Sequence, residues 1–124
     1  MALTATNFGI SNSAWNAAKA EARSAMVEVA RKGKTLSYGG LASKIHTLQF
    51  EARDIRLFHL LGEISREEDA GGRGMLSAVV VRQEDGKPGP GFFDLALSIG
   101  HNASDQMAFW VSEFEKVTKY WKTH

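Results

Sequence analysis

The sequence predicts an α+β fold, in which a mostly helical single domain carries a small antiparallel sheet. Apolar residues recur at helical spacing over residues 13–32 and again over residues 104–122, which predicts two long amphipathic helices. Between them, Val79, Val80 and Val81 form a β-branched run, and Gly74 and Gly86 bound the surrounding segment. A short apolar run with glycines on both sides is typical of a buried strand.

The composition is that of one ordinary globular domain. The chain has 124 residues and a formal net charge of +1, so binding to nucleic acid would need a local basic patch. It contains no cysteine, which rules out disulfides, thiolate zinc sites and thiol nucleophiles. The lack of a long apolar stretch and of a secretory leader predicts a cytoplasmic protein with no membrane partner. We expect residues 1–12 to be an irregular arm and residues 13–124 to be the globular domain.

The first half of the chain reads as helix, short strand, short helix and longer helix. Asn12 or Ser13 is a suitable N-cap for the first helix. Residues 35–38 form a short strand or a helix entry, and residues 38–45 form a short helix that two glycines weaken. The longer helix should run from Glu51 to about Ala70, before a glycine-rich loop. Its apolar positions predict burial on more than one side: Ile55, Leu57, Phe58, Leu60, Leu61 and Ile64.

The second half begins with the valine strand. Asp85 and Gly86 form a turn signal, but Pro88 and Pro90 cannot donate to a sheet ladder, so a longer loop should return through residues 91–93 as an edge strand. Residues 94–99 suit a short helix. Ser104 should cap the last helix, which should pack against the first. The apolar face of that last helix is regular: Met107, Trp110, Phe114, Val117 and Trp121.

Catalytic and metal-binding patterns are weak. None of the four histidines lies three or four residues from another, so no metal and no cofactor is expected. An enzyme would need Glu63 and Asp94 to converge with His59 or His101 in one pocket. Because nothing in the spacing requires that convergence, a non-catalytic module is the preferred hypothesis.

The element order also matches a winged helix. Residues 35–42, Thr-Leu-Ser-Tyr-Gly-Gly-Leu-Ala, resemble the T-x-S-Y-G-x-L-A entry in the winged-helix part of alkylguanine DNA alkyltransferases and alkyltransferase-like proteins. The Pro-Cys-His-Arg motif of those enzymes is absent, which excludes alkyl transfer. The resemblance implies a winged-helix-like module that binds nucleic acid through basic residues on a recognition helix and a wing. The candidate residues are Lys44, Arg53, Arg56, Arg82 and Lys87.

A second resemblance involves the aromatic residues. Residues 75–81, 88–93, 109–110 and 120–121 resemble a small uncharacterised bacterial domain family with an LSAVVV…PGxGFF…FW…YW pattern. This resemblance implies a compact bacterial domain and no particular activity. Separately, the position of Phe92 and Phe93 after a Gly/Pro loop, with tryptophans on the last helix, favours an alternative hypothesis, a module that binds a protein partner, a second copy of the chain or a small ligand. The residues that would line its site are Phe92, Phe93, Trp110 and Trp121.

Overall fold

The computed structural model describes residues 7–124, so residues 1–6 of the expected arm lie outside the described part. Within that part the chain is mostly helical with one small sheet, which confirms the α+β class. The elements in order are α1 (Asn12–Arg31), β1 (Leu36–Ser37), α2 (Tyr38–Ser43), α3 (Ile55–Ala70), a 3₁₀ helix (Leu76–Val79), β2 (Val80–Val81), α4 (Pro90–Ser98) and α5 (Gln106–Lys122). Helices α1 and α5 pack against each other, as the sequence predicts.

The sheet is parallel, so the prediction of an antiparallel sheet is wrong. Leu36 pairs with Val80 and Ser37 pairs with Val81, and both strands run in the same direction. Parallel neighbours need a crossover connection rather than a tight turn. Helices α2 and α3, which lie between the two strands in the chain, form that crossover.

The valine segment forms less strand than its sequence predicts. Only Val80 and Val81 pair with a neighbour, and Leu76–Val79 forms the 3₁₀ helix. Helices α1, α3 and α5 all contact this helix. Because helices rather than strands surround it, its backbone groups turn to local partners, such as the 2.9 Å bond from the Ala78 amide to the Met75 carbonyl.

Side chains supply the remaining hydrogen bonds of this buried stretch, residues 75–81, which we call the central segment. The Met75 amide donates to Glu113 Oε1 at 3.0 Å, and the Ser77 amide donates to the Ser65 hydroxyl at 2.9 Å. The indole nitrogen of Trp110 donates to the Ala78 carbonyl at 2.9 Å. Helices α3 and α5 therefore provide the polar partners that a neighbouring strand would otherwise provide.

The predicted edge strand is also absent. Residues 91–93 lie inside α4, which begins at Pro90, and both Phe92 and Phe93 are buried. Proline is favoured in the first turn of a helix because its missing amide needs no partner there. The turn at Gly86 forms, with its amide donating to the Arg82 carbonyl at 2.9 Å, but it leads into α4 and not into a hairpin.

Helix boundaries differ from the predicted ones by a few residues. Ser11 caps α1 in place of Asn12 or Ser13. Asp105 caps α5 in place of Ser104. Both side chains accept a bond from an amide of the first turn, which is the role that the sequence assigned to their neighbours.

A buried carboxylate joins α1 to the end of α3. Glu68 is 2% exposed and accepts hydrogen bonds from Arg73 Nε at 2.7 Å and Arg23 Nε at 3.0 Å. Burial acts to raise the pKa of the Glu68 carboxyl, but the bonds from Arg73 and Arg23 outweigh it and hold the pKa below its usual value.

The Glu68 contacts predict a pH dependence of stability. Because the folded-state pKa lies below the unfolded one, about 4.3 for glutamate, the stabilisation is present above that pH and is lost as the pH falls through the folded-state pKa. The unfolding free energy of Glu68→Gln, measured with urea from pH 7 to pH 2.5, should therefore fall less steeply in acid than that of the wild type. The exposed Glu115→Gln is the control. Parallel curves for wild type and Glu68→Gln would contradict the assignment.

The central segment predicts a cost for Ser65→Ala. This change leaves the buried Ser77 amide without its acceptor, and should lower the unfolding free energy by about 1–3 kcal/mol. Ser43→Ala is the matched control, since Ser43 is an exposed helical serine with only a local bond to the Gly40 carbonyl. A Ser65→Ala loss no larger than the control's would show that another group satisfies the Ser77 amide.

Candidate functional site: a groove beside helix α3

A groove of about 920 Å³ lies beside α3, between it, the start of α4 and the loop of residues 82–89. We call it the α3 groove. Much of its wall is apolar. Its main apolar residues are Phe8, Ile55, Phe58, Leu61, Phe92 and Leu95.

Two large apolar side chains of α3 face this groove and remain open to solvent. Ile55 is 70% exposed and Phe58 is 44% exposed, whereas Leu57 and Leu60 on the opposite face are fully buried. Phe8, which packs on Trp15 at 6.1 Å between ring centres, adds a third exposed apolar side chain. Exposed apolar residues gathered on one concave surface are typical of a binding site.

Tyr38 fixes one edge of the α3 groove. Its hydroxyl accepts a 3.0 Å hydrogen bond from the Gly89 amide, and its ring meets Phe58 edge-on at 5.4 Å. Burial, the largest influence, raises the pKa of the Tyr38 hydroxyl, so the group stays neutral at physiological pH. Tyr38 thereby holds the start of α4 against α3 and keeps the groove's shape.

Three arginines line the α3 groove, and they differ in how far acidic groups neutralise them. Arg53 pairs with Glu84 at 3.2 Å, and Arg82 pairs with Asp85 at 2.6 Å. Arg66 is exposed and forms no ion pair with any residue from 7 to 124. Asp94 also lines the groove, so the groove carries both basic and acidic side chains, with the basic ones in excess.

Only two of the five residues predicted to bind nucleic acid line the α3 groove. The structure brings Arg53 and Arg82 to the α3 groove, whereas Lys44, Arg56 and Lys87 do not line it. Arg56 forms a 2.6 Å ion pair with Asp54. Hydrogen bonds from Arg56 lower the pKa of Asp54 to about 2, so this carboxylate stays charged and occupies the guanidinium.

The predicted aromatic set belongs mainly to the core. Phe93 and Trp121 are buried, at 4% and 8% exposure, and the indole nitrogen of Trp110 donates a hydrogen bond to the central segment. Only Phe92 lines the α3 groove. The aromatic face of α5 therefore packs mainly inward.

The residues weighed for catalysis do not meet in one pocket. His59 and Asp94 line the α3 groove. Glu63 Oε2 lies 3.3 Å from His59 Nε2, but Glu63 does not line the groove, and its Oε1 accepts bonds from Trp15 at 2.9 Å and Lys19 at 3.2 Å. His101 lies 2.8 Å from Asp69, away from the groove.

Sequence reasoning missed three residues that define this site: Ile55, Phe58 and Arg66. They lie on one face of α3 at helical spacing, together with Gly62. The signal was the excess of apolar positions on this helix, which the sequence analysis took as burial on more than one side. One of those sides is the wall of the groove.

Comparison of the chain with protein-family models, with curated proteins and with solved structures finds no match in any of the three. Within residues 7–124, no helix combines the length and the apolar character that crossing a membrane requires. The two family resemblances stay predictions.

The groove geometry predicts an effect of Tyr38→Phe. The change removes the acceptor of the buried Gly89 amide, and opening of the loop should become easier by about 1–3 kcal/mol. Hydrogen exchange followed by NMR should show faster exchange of the Gly89 amide. The Gly86 amide, which bonds within its own turn, is the internal control. Unchanged protection of Gly89 would show that Tyr38 does not hold this edge.

Proposed function

We propose that this protein is a non-catalytic binding module that holds an organic anion with an apolar body, such as a medium- or long-chain carboxylate, in the α3 groove. The observation that carries the proposal is the combination of exposed Ile55 and Phe58 with Arg66 on one concave surface. The proposal keeps the small-ligand part of the sequence-based alternative but moves its site from the aromatic face of α5 to α3.

The size and the apolar wall of the groove support a small ligand. A volume of about 920 Å³ lies within the usual range of small-molecule sites, roughly 300–1,000 Å³. Fully burying a side chain such as isoleucine or phenylalanine contributes about 1.5–3 kcal/mol. A hydrocarbon chain laid over Ile55 and Phe58 would gain part of that energy from each.

The charges support an anionic head group. A guanidinium presents two parallel N–H donors that match a carboxylate, and Arg66 has no acidic partner among the described residues. Arg53 and Arg82 stand on the same groove as secondary donors, each already shared with an acid. These three arginines would repel a cationic ligand, and only two acidic side chains among the described residues line the groove to attract it, Glu84 and Asp94.

Nucleic-acid binding is the second candidate, and one observation favours it. Arg53 and Arg82 line the same groove as the rings of Tyr38 and Phe58, and basic grooves with aromatic faces are used to bind single strands. Arg53 and Arg82 would have to exchange Glu84 and Asp85 for phosphates. The winged-helix interpretation gives this candidate less support, because a wing needs an antiparallel hairpin and residues 82–89 follow a parallel strand. A cytoplasmic location stays a prediction under both candidates.

Calorimetric titration with laurate, dodecylammonium and dodecanol tests the first candidate. Laurate should bind one to one, and dodecylammonium at least about tenfold more weakly, since charge-assisted hydrogen bonds contribute about 1.5–3 kcal/mol. Arg66→Gln should weaken laurate about tenfold or more and leave dodecanol unchanged, and Phe58→Ala should weaken both. Lys34→Gln and Leu97→Ala are matched controls, because each is exposed and neither lines the groove.

Equal affinity for laurate and dodecylammonium, or loss of affinity in the controls, would contradict the first candidate. Labelled single-stranded DNA should be titrated with the same variants at low and physiological salt. Saturable binding that weakens steeply with salt, and that Arg53→Gln plus Arg82→Gln abolishes, would favour the second candidate instead.

A further inference from the structure

A second cluster of polar side chains lies away from the α3 groove. Asp69, His101 and Glu113 each offer one ligand atom, and these three atoms lie within 4.8 Å of one another. Asp69 belongs to the last turn of α3, His101 follows α4, and Glu113 lies in the middle of α5. None of the three lines the groove.

Two of the three side chains are held in place from outside the cluster. Glu113 is 5% exposed, and its Oε1 atom accepts the Met75 amide of the central segment. The His101 amide donates to the Ala96 carbonyl at 2.9 Å, and its ring packs on Phe109 at 5.4 Å between centres. The cluster is therefore arranged before any ligand arrives, which lowers the entropic cost of binding.

The charge of the cluster is unusual for this protein. Glu68, the other buried glutamate among residues 7–124, has two arginine partners. Glu113 is just as enclosed, and among the same residues no lysine or arginine pairs with it or with Asp69. Two carboxylates this close are stabilised by a positive charge between them, which a bound cation would supply.

We propose that Asp69, His101 and Glu113 bind a divalent first-row metal ion, with Zn²⁺ as the best fit to one imidazole nitrogen and two carboxylate oxygens. In a tetrahedral Zn²⁺ site, two ligand atoms about 2.0–2.1 Å from the metal are about 3.3 Å apart. The observed 2.8 Å between His101 Nε2 and Asp69 Oδ1 is a hydrogen-bond distance, so these two side chains would move slightly apart to admit the ion. The metal would take the place of the hydrogen bond between these two atoms.

An ion can reach the proposed site from solvent, and its binding would stabilise the fold. The side chains of His101 and Asp69 are 28% and 20% exposed, so an ion can enter from solvent without the core opening. Three protein ligands leave at least one coordination position for water or an exogenous group. A bound ion would also join α3, the α4–α5 connection and α5, and so stabilise the fold.

The test uses the full-length protein, dialysed against a chelator and titrated with Zn²⁺ by calorimetry and by thermal unfolding. We expect one Zn²⁺ per chain, and a rise in Tm of about 5–10 °C at a hundredfold excess over Kd. Mg²⁺ and Ca²⁺ should bind far more weakly, because both prefer all-oxygen sites. Asp69→Asn, His101→Asn and Glu113→Gln should each weaken Zn²⁺ at least about tenfold.

Glu113→Gln is the most informative variant. Its amide oxygen can still accept the Met75 amide, so the fold keeps that bond while the site loses one charge. Glu115→Gln on the same helix and His46→Asn are the controls, since both residues are exposed and lie outside the cluster. Zn²⁺ binding that the controls weaken as much as the site variants would overturn the proposal. Absence of saturable binding would also overturn it, and would leave Asp69 and His101 as an ion pair only.

Discussion

The backbone of residues 75–81 must find hydrogen-bond partners inside the core, and this requirement arranges the helices around it. The segment is enclosed by α1, α3 and α5, and only Val80 and Val81 have a strand beside them. Ser65 of α3 and both Glu113 and Trp110 of α5 supply the missing partners. An unpaired buried amide costs about 1–3 kcal/mol, so the positions of these helices are set by polar contacts as well as by apolar packing.

Helix α3, which supplies Ser65 to the central segment, also forms one wall of the α3 groove. Because Ser65 has to face the central segment, the face of α3 that carries Ile64, Leu61 and Leu57 turns inward with it. Phe58 lies seven residues before Ser65 on the same helical stripe, near the start of α3, where it and Ile55 remain exposed. Tyr38 holds the start of α4 opposite them through the Gly89 amide. The concave apolar surface is thus formed by the start of α3, Tyr38 and the start of α4, and the arginines give that surface its charge.

The long helices could be predicted from the sequence because their apolar spacing is regular and their burial follows it. The sheet could not, since three adjacent valines are compatible with any buried extended chain, and pairing direction depends on which elements lie between the strands. The positive charge of the candidate basic residues could be predicted from the sequence. Their neutralisation by Asp54, Glu84 and Asp85 depends on contacts that charge counting does not show. The cluster of Asp69, His101 and Glu113 was invisible for a related reason, because its members are far apart in the chain.

The proposed binding mode places an apolar chain over Ile55 and Phe58 and its anionic head group at Arg66. NMR of the protein with bound laurate tests this most directly, through intermolecular nuclear Overhauser effects. The account predicts contacts from the laurate methylenes to the Ile55 methyl groups and the Phe58 ring, and shift changes at the Arg66 side chain. Contacts that fall instead on Leu97, Met107 or Val111, which are exposed apolar residues outside the groove, would contradict it.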